Sequence, residues 1–341
     1  MAKSIFLSQV VENCVKDVGC RVDSRHIAFD VDYEVEKKGI RLRGFVHYPQ
    51  QKWALVNSLS SIAQVQRKKI PIRSGLKILS KKKLRFAQVK VPFANIRFEP
   101  KRNGEVRTQA FLGSFVLCYF TRGRYWYCAD PNGYLGYIHK NDLVQKTRKE
   151  YLAWLNGLRG RVLKDYREGA LFLPVASELA CADRERVVLP DGRKLRLPKS
   201  NLYTYEPAKN RKINSILKTA RSFFGVPYHW GGKTSIGLDC SGFTQVVYAL
   251  HHIALPRDAG QQVNVGRQVG MLGDFSDLLP GDLLFFMGSS SRIIHVGISS
   301  GGDRFLHAII REGITESSID DTDMGGSSFR DSYIMGRRIL I

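Results

Sequence analysis

Hydrophobic and polar positions change their period twice along the chain. Residues 26–33 and 40–48 alternate, as half-buried strands do. Trp53, Leu55, Val56, Leu59 and Ile62 then fall near helical spacing over 53–63. A basic connector containing Lys81, Lys82 and Lys83 follows. From about residue 86 short strands take over, at 87–91, 109–120, 125–129 and 134–139, with turn signals at Glu99-Pro100, Asn103-Gly104 and Asn132-Gly133. Strands this short and this closely spaced predict a small barrel. Near residue 209 the texture changes again. Ile213, Ile216, Leu217, Ala220 and Phe223 predict a helix over 213–224, closed by Gly225 and Pro227. A Gly-rich loop, Trp230-Gly231-Gly232, leads to a second helical run over 240–252, with Phe243, Val246, Val247 and Leu250 on one side. A turn at Pro280-Gly281-Asp282 precedes a strand over 283–287, and strands over 293–299 and 304–310 are joined by Gly301-Gly302. Helices followed by an antiparallel sheet predict an α+β core.

A length of 341 residues exceeds one ordinary core and predicts two to four small domains. No stretch reaches the roughly eighteen uncharged apolar residues of a membrane helix. Glu12, Lys16 and Asp17 stand where a signal peptide would be apolar, so a soluble, cytoplasmic protein is expected, with a periplasmic or envelope location as the alternative. The net charge of +22 is unevenly placed: residues 209–341 hold 14 Lys or Arg against 12 Asp or Glu, and residues 1–208 hold 39 against 19. The first two thirds can therefore attract an anionic polymer (nucleic acid, a wall polymer or a membrane surface), or simply present a well-solvated face. Six cysteines are too few for a disulfide scaffold, and none forms a C-x-x-C pair. Cys118 and Cys128 are expected to face each other, reduced, across a hairpin turning at residues 121–124. Asp320, Asp321 and Asp323 lack the Gly and distal Glu of an EF-hand loop. No metal, organic cofactor or obligate protein partner is called for.

Cys240 carries the strongest chemical signal. It follows Asp239, a well-typed N-cap, and opens a helix, where the dipole and unpaired N–H groups favour a thiolate. Most lone cysteines are merely small buried residues. His295 and His307 lie mid-strand on either side of Gly301, six residues away in each direction, so the hairpin is expected to set them nearly opposite on one face. That arrangement suits a base held by an orienting partner. A lone strand histidine is more often structural, but two on one hairpin beside a capping cysteine favour a site.

The ordered set Pro227-Tyr228-His229-Trp230-Gly231-Gly232, Asp239-Cys240-Ser241-Gly242-Phe243, Leu255-Pro256-Arg257, Pro280-Gly281-Asp282-Leu283 and His295-Val296-Gly297-Ile298 resembles the NlpC family of bacterial wall-peptide hydrolases. The resemblance covers about residues 209–341. It implies a papain-like core with Cys240 as nucleophile, His295 as base and His307 as the third member. Further upstream, Asn132-Gly133-Tyr134-Leu135-Gly136-Tyr137-Ile138 and Asp142-Leu143 resemble the close of bacterial SH3-like domains. A degenerate copy is marked by Val188-Leu189-Pro190-Asp191-Gly192-Arg193 and Asn201-Leu202. The resulting division is an α/β segment (1–85), two SH3-like barrels (86–147 and 148–207) and the catalytic domain (208–341).

That combination is similar to a branch of endopeptidases cleaving the γ-D-glutamyl bond to a diamino acid in murein peptides with free N-terminal L-Ala. By this resemblance Asp239 and Ser241 bind the amine, Tyr228 and Trp230 line the site, Arg257 stands at the cleft, and Glu105 and Tyr137 reach in from the first barrel. Ala259 departs from the Ser often found there. The expected substrate is a murein tripeptide or tetrapeptide, or peptidoglycan. An amidase releasing L-Ala from muramic acid, an acyltransferase, and a wall- or nucleic-acid-binding protein with an inert peptidase domain are the competing readings.

Overall fold

The computed structural model describes residues 2–36, 39–65, 70–205, 216–271, 275, 277–321 and 329–339. The chain opens with a helix, Ala2–Cys20, which the hydrophobic pattern did not signal. Strands Phe29–Glu36 and Gly39–Val46 pair antiparallel, and helix Pro49–Val65 follows with proline at its first position, where its missing N–H costs nothing. Short strands Ile72–Ser74 and Lys77–Ile78 add parallel to Gly39–Val46. Val11, Val18, Leu42, Val46 and Leu55 bury the shared face.

The next seven strands form one sheet, in the spatial order Leu143–Lys146, Arg85–Val89, Phe115–Arg122, Tyr125–Ala129, Leu135–His139, Phe93–Arg97, Val106–Phe111. The run read as one strand over 109–120 is two, broken where Gly113 takes φ +85°. Cys118 and Cys128 pair in register with Sγ atoms 3.3 Å apart, both free thiols. Helix Arg148–Asn156, capped reciprocally by Thr147 and Glu150, stacks Tyr151 on Phe86 and packs Trp154 at a tilt against Phe115 of this sheet. A five-stranded sheet follows in the order Lys194–Arg196, Arg186–Val188, Glu178–Cys181, Arg159–Val162, Leu202–Tyr205. Both sheets are open paths in their strand pairing, and among the described residues no closed barrel is seen where the strand spacing predicted small barrels.

The C-terminal part is α+β. Helix Ile216–Arg221 occupies the middle of the expected 213–224 helix, whose first three residues lie outside the described ones. Helix Cys240–Leu250 packs on a six-stranded antiparallel sheet: Arg267–Met271, Tyr333–Arg338, Leu283–Met287, Ile293–Gly301, Arg304–Ile309, Gly313–Ser318. Phe243, Val247 and Tyr248 of the helix meet Phe285, Val296, Ile298 and Leu306 of the sheet, all essentially without exposed surface. Each such side chain contributes about 1.5–3 kcal/mol of burial. The helix that begins at Cys240 is thereby fixed against the strands carrying His295 and His307. Among the described residues no helix is long and apolar enough to cross a membrane.

Candidate active site

Asp239 caps the helix Cys240–Leu250 in extended conformation (φ −93°, ψ 176°), its Oδ1 accepting the Gly242 N–H at 2.6 Å. A side chain at Gly242 would run into the Gly232 carbonyl, so glycine is what lets the loop close on the helix start. The Gly231 N–H donates to Asp239 Oδ2 at 2.9 Å. Arg257, 2% exposed, completes the cap. It donates to Asp239 Oδ1 (3.0 Å) and Oδ2 (2.5 Å), to Ser241 Oγ (2.9 Å) and to Thr108 Oγ1 (2.9 Å) of the first sheet. Both carboxylate oxygens are thus already filled with donors. Asp239 and Ser241 hold the buried guanidinium; a substrate amine would have to share atoms with it.

Cys240 Sγ lies in that frame with 8% of the residue exposed. Burial, and then the Asp239 carboxylate, push its thiol up to about 12, against backbone N–H from Val296 and Ser241 and the charge of Arg257. Burial thus works against the helix start, whose dipole and N–H groups favour the thiolate. A protonated thiol needs a base at the moment of attack.

The sheet supplies a line of three groups, starting at His295, the neighbour of the Val296 whose backbone N–H reaches the Cys240 thiol. His295 Nε2 lies 2.9 Å from His307 Nδ1, and His307 Nε2 lies 3.0 Å from Ser317 Oγ. The histidines are not directly opposite. Gly301 pairs with Arg304, and a bulge brings Ser299 opposite Phe305 and Ile298 opposite Leu306, so the turn comes one residue later than the glycines implied. This register sets Gly297 across from His307, and His295 reaches it diagonally, still on one face. A Cβ on Gly297 would strike the Phe305 ring, which packs on His307 at 4.4 Å. His307 is fully buried, and burial, then the charge of His295, hold it neutral, well below the usual histidine range.

Residues 225–331 match the NlpC/P60 family model. The chain is 42% identical over 103 residues to the probable endopeptidase NlpC of Escherichia coli, covering 30% of this chain and 64% of that one. It is 31% identical over 173 residues to a gamma-D-glutamyl-L-lysine dipeptidyl-peptidase of Bacillus cereus, 49% of each chain. Residues 225–331 form an NlpC/P60 domain. The chain thus spans 64% and 49% of the lengths of these two relatives. An NlpC/P60 family protein of Bacillus cereus shares the fold with a TM-score of 0.65 at 22% identity, over 75% of this chain and 100% of that one. An NlpC/P60 endopeptidase of Photobacterium damselae does so at 0.56 and 16% identity, over 85% and 76%.

Around the NlpC/P60 domain the first sheet supplies one wall. Trp230, 63% exposed, donates from Nε1 to Glu105 Oε1 at 3.1 Å, and Gly231 packs so closely on Val106 that no Cβ fits. Glu105 therefore lies against the loop that leads to Cys240. Tyr137 does not: it lies in a core cluster with Ala28, Phe45, Tyr127 and Leu135, facing the N-terminal segment. Strand alternation turns it away, and Tyr134, just before the strand, faces the domain instead, its hydroxyl 3.4 Å from Asp258 Oδ1. Tyr228 is half-buried beside Cys240 and Asp239, whose charges add to burial in keeping its phenol protonated. Ala259 is buried at the start of a short helix, Ala259–Gln262. The residues missed by sequence reading are Thr108, Asp258 and Ser317, polar side chains with no motif to flag them, and Tyr134, which stood in the 132–138 run without being read as a site residue.

Proposed function

We propose that this chain is a cysteine endopeptidase hydrolysing the γ-D-glutamyl bond to a diamino acid in murein peptides, with Cys240 as nucleophile, His295 as base and His307 as its orienting partner. The observation that carries the reading is the line His295–His307–Ser317 beside a thiol at a rigid helix start. Neutral His307 has one ring proton. If it lies on Nε2 and is donated to Ser317 Oγ, then Nδ1 accepts from His295 Nε2–H, and His295 Nδ1 is bare. The opposite tautomer would leave a proton where the base must act. His295 Nδ1 takes the thiol proton as Sγ bonds to the γ-carbonyl carbon. The oxyanion forms against helix-start N–H groups and the Tyr228 hydroxyl. The imidazolium then protonates the leaving amine as the C–N bond breaks. Water gives its proton to the same nitrogen and its hydroxide to the acyl carbon, and the thiol is restored.

Names of the relatives support this substrate class, including a gamma-D-glutamyl-L-lysine dipeptidyl-peptidase of Bacillus subtilis, 40% identical over 95 residues. Because Asp239 is filled by Arg257, Glu105 is the carboxylate with free capacity to meet a substrate ammonium. We read segments 86–147 and 148–207 as SH3-like units flanking the cleft, the first of them bearing Glu105.

Mass spectrometry of L-Ala-γ-D-Glu-meso-diaminopimelate incubated with wild type and Cys240→Ala tests the reading, beside the same peptide acetylated on its amine. Cleavage after D-Glu by wild type alone, and only with the free amine, is expected. Cleavage of the acetylated peptide at the same rate would rule out amine recognition. Intact peptides throughout would rule out the endopeptidase.

A further inference from the structure

Behind the nucleophile helix, on the side away from Cys240, a cavity of about 200 Å³ lies where both upstream sheets meet the NlpC/P60 domain. Its walls include Lys233, Asp130, Arg161, Glu178 and Gln245. Glu178 is spent on structure, its oxygens held by Arg159 at 2.5 Å and Arg161 at 2.9 Å. Lys233 is different. It is 6% exposed, yet among the described residues its ammonium has no hydrogen bond and no ion pair, only the Phe111 ring at 5.5 Å. Asp130, 5% exposed, uses Oδ1 for the N–H groups of Asn132 and Tyr134 at 2.8 Å each and, among the described residues, has no donor on Oδ2. Gln245 donates to the Leu255 carbonyl at 2.7 Å, while its Oε1 is buried without a partner.

An unpaired ammonium inside a protein is expensive, and apolar side chains would seal such a junction better. Burial drags Lys233 down to about 8 and raises Asp130, each moderated by the other's charge. Perturbed groups of opposite charge lining a concave space are the mark of a ligand site. Two cations and two carboxylates line it, so the walls carry no net charge and an anion alone would meet repulsion from Asp130. The volume exceeds the roughly 150 Å³ cavity that accommodates benzene.

We propose that this cavity binds a small zwitterion, an α-amino acid with a short side chain, its carboxylate on Lys233 and its ammonium on Asp130 and Gln245 Oε1. The site is separate from the peptidase reading and would stand without it. Lys233 also lies within the field of Asp239 and Arg257, so an occupant is electrostatically linked to the cap of the nucleophile helix.

Calorimetric titration of the full chain with glycine and L-alanine, beside acetate and ethylamine, tests the proposal. Saturable binding of the amino acids is expected, with acetate and ethylamine weaker by about tenfold or more. Lys233→Met and Asp130→Asn should each weaken binding by about tenfold or more. Ala249→Leu, which fills the cavity from the helix without touching a charge, should abolish it. If Lys233→Met fails to fold, the other two variants decide. No saturable heat from either amino acid would mean a water-filled cavity and overturn the site. Acetate binding as tightly as glycine would overturn the zwitterion, and binding unchanged in Ala249→Leu would place the ligand elsewhere.

Discussion

The two flanks of the helix Cys240–Leu250 treat buried charge in opposite ways. On one, Arg257 is saturated: its guanidinium meets two carboxylate oxygens and two hydroxyls from both the NlpC/P60 domain and the first sheet. On the other, Lys233 is also buried, at 6% exposed, and among the described residues its ammonium meets none. Satisfied networks fix geometry, and the first flank is where the proposed nucleophile, its cap and its base would have to be held still. Unsatisfied groups leave room for something to arrive.

The largest test of this contrast is stability. Arg257→Met leaves Asp239 buried and unpaired and should lower the unfolding free energy by about 3–5 kcal/mol in urea. Lys233→Met removes a charge that has no hydrogen bond and chiefly the field of Asp130 to offset it, so its effect should be smaller by at least about 2 kcal/mol. Equal losses would erase the distinction between the flanks.

The next effect is catalytic and concerns Ser317. Ser317→Ala should lower kcat by about tenfold, the size of one lost hydrogen bond, with KM unchanged, and Ser317→Thr should recover most of it. A drop in KM-dependent terms alone would mean that Ser317 is only packing. The thiol offers a third check. Because burial pushes Cys240 up to about 12, iodoacetamide should label it slowly near pH 6 and faster with each step of pH toward alkaline conditions. Rapid labelling near pH 6 would show a thiolate already present at rest.

A smaller effect lies in the pH dependence of stability. His307 is held below its ordinary value of 6.5, so the unfolded chain binds a proton before the folded one does. Its contribution is complete above about pH 6.5 and should be lost progressively as pH falls. Melting temperatures between pH 8 and pH 5 in wild type and His307→Gln should show the slope in the first and a reduced slope in the second.

Much of the site was legible because its chemistry is local. Asp239-Cys240 at a helix start and His295 and His307 on adjacent strands are motif and periodicity, and both survive in the structure. What could not be read is what depends on partners distant in sequence. The Arg257–Thr108 bond joins residues 149 positions apart. The register that makes the histidines diagonal depends on a bulge at Ser299–Gly301, which two glycines permit without specifying. Burial of Cys240 comes from three elements packing together, so its raised pKa has no local signature. Tyr137 and Tyr134 are equally plausible by type, and only strand direction separates them.

The account stands most directly on a covalent bond to Cys240. Rapid acid quench of wild type with L-Ala-γ-D-Glu-meso-diaminopimelate, followed by mass analysis of the digested protein, should find the L-Ala-D-Glu acyl group on the Cys240 peptide. The adduct should be absent in Cys240→Ala and in His295→Ala. Peptide cleavage that continues in Cys240→Ala, with no adduct in wild type, would contradict the assignment of nucleophile and base.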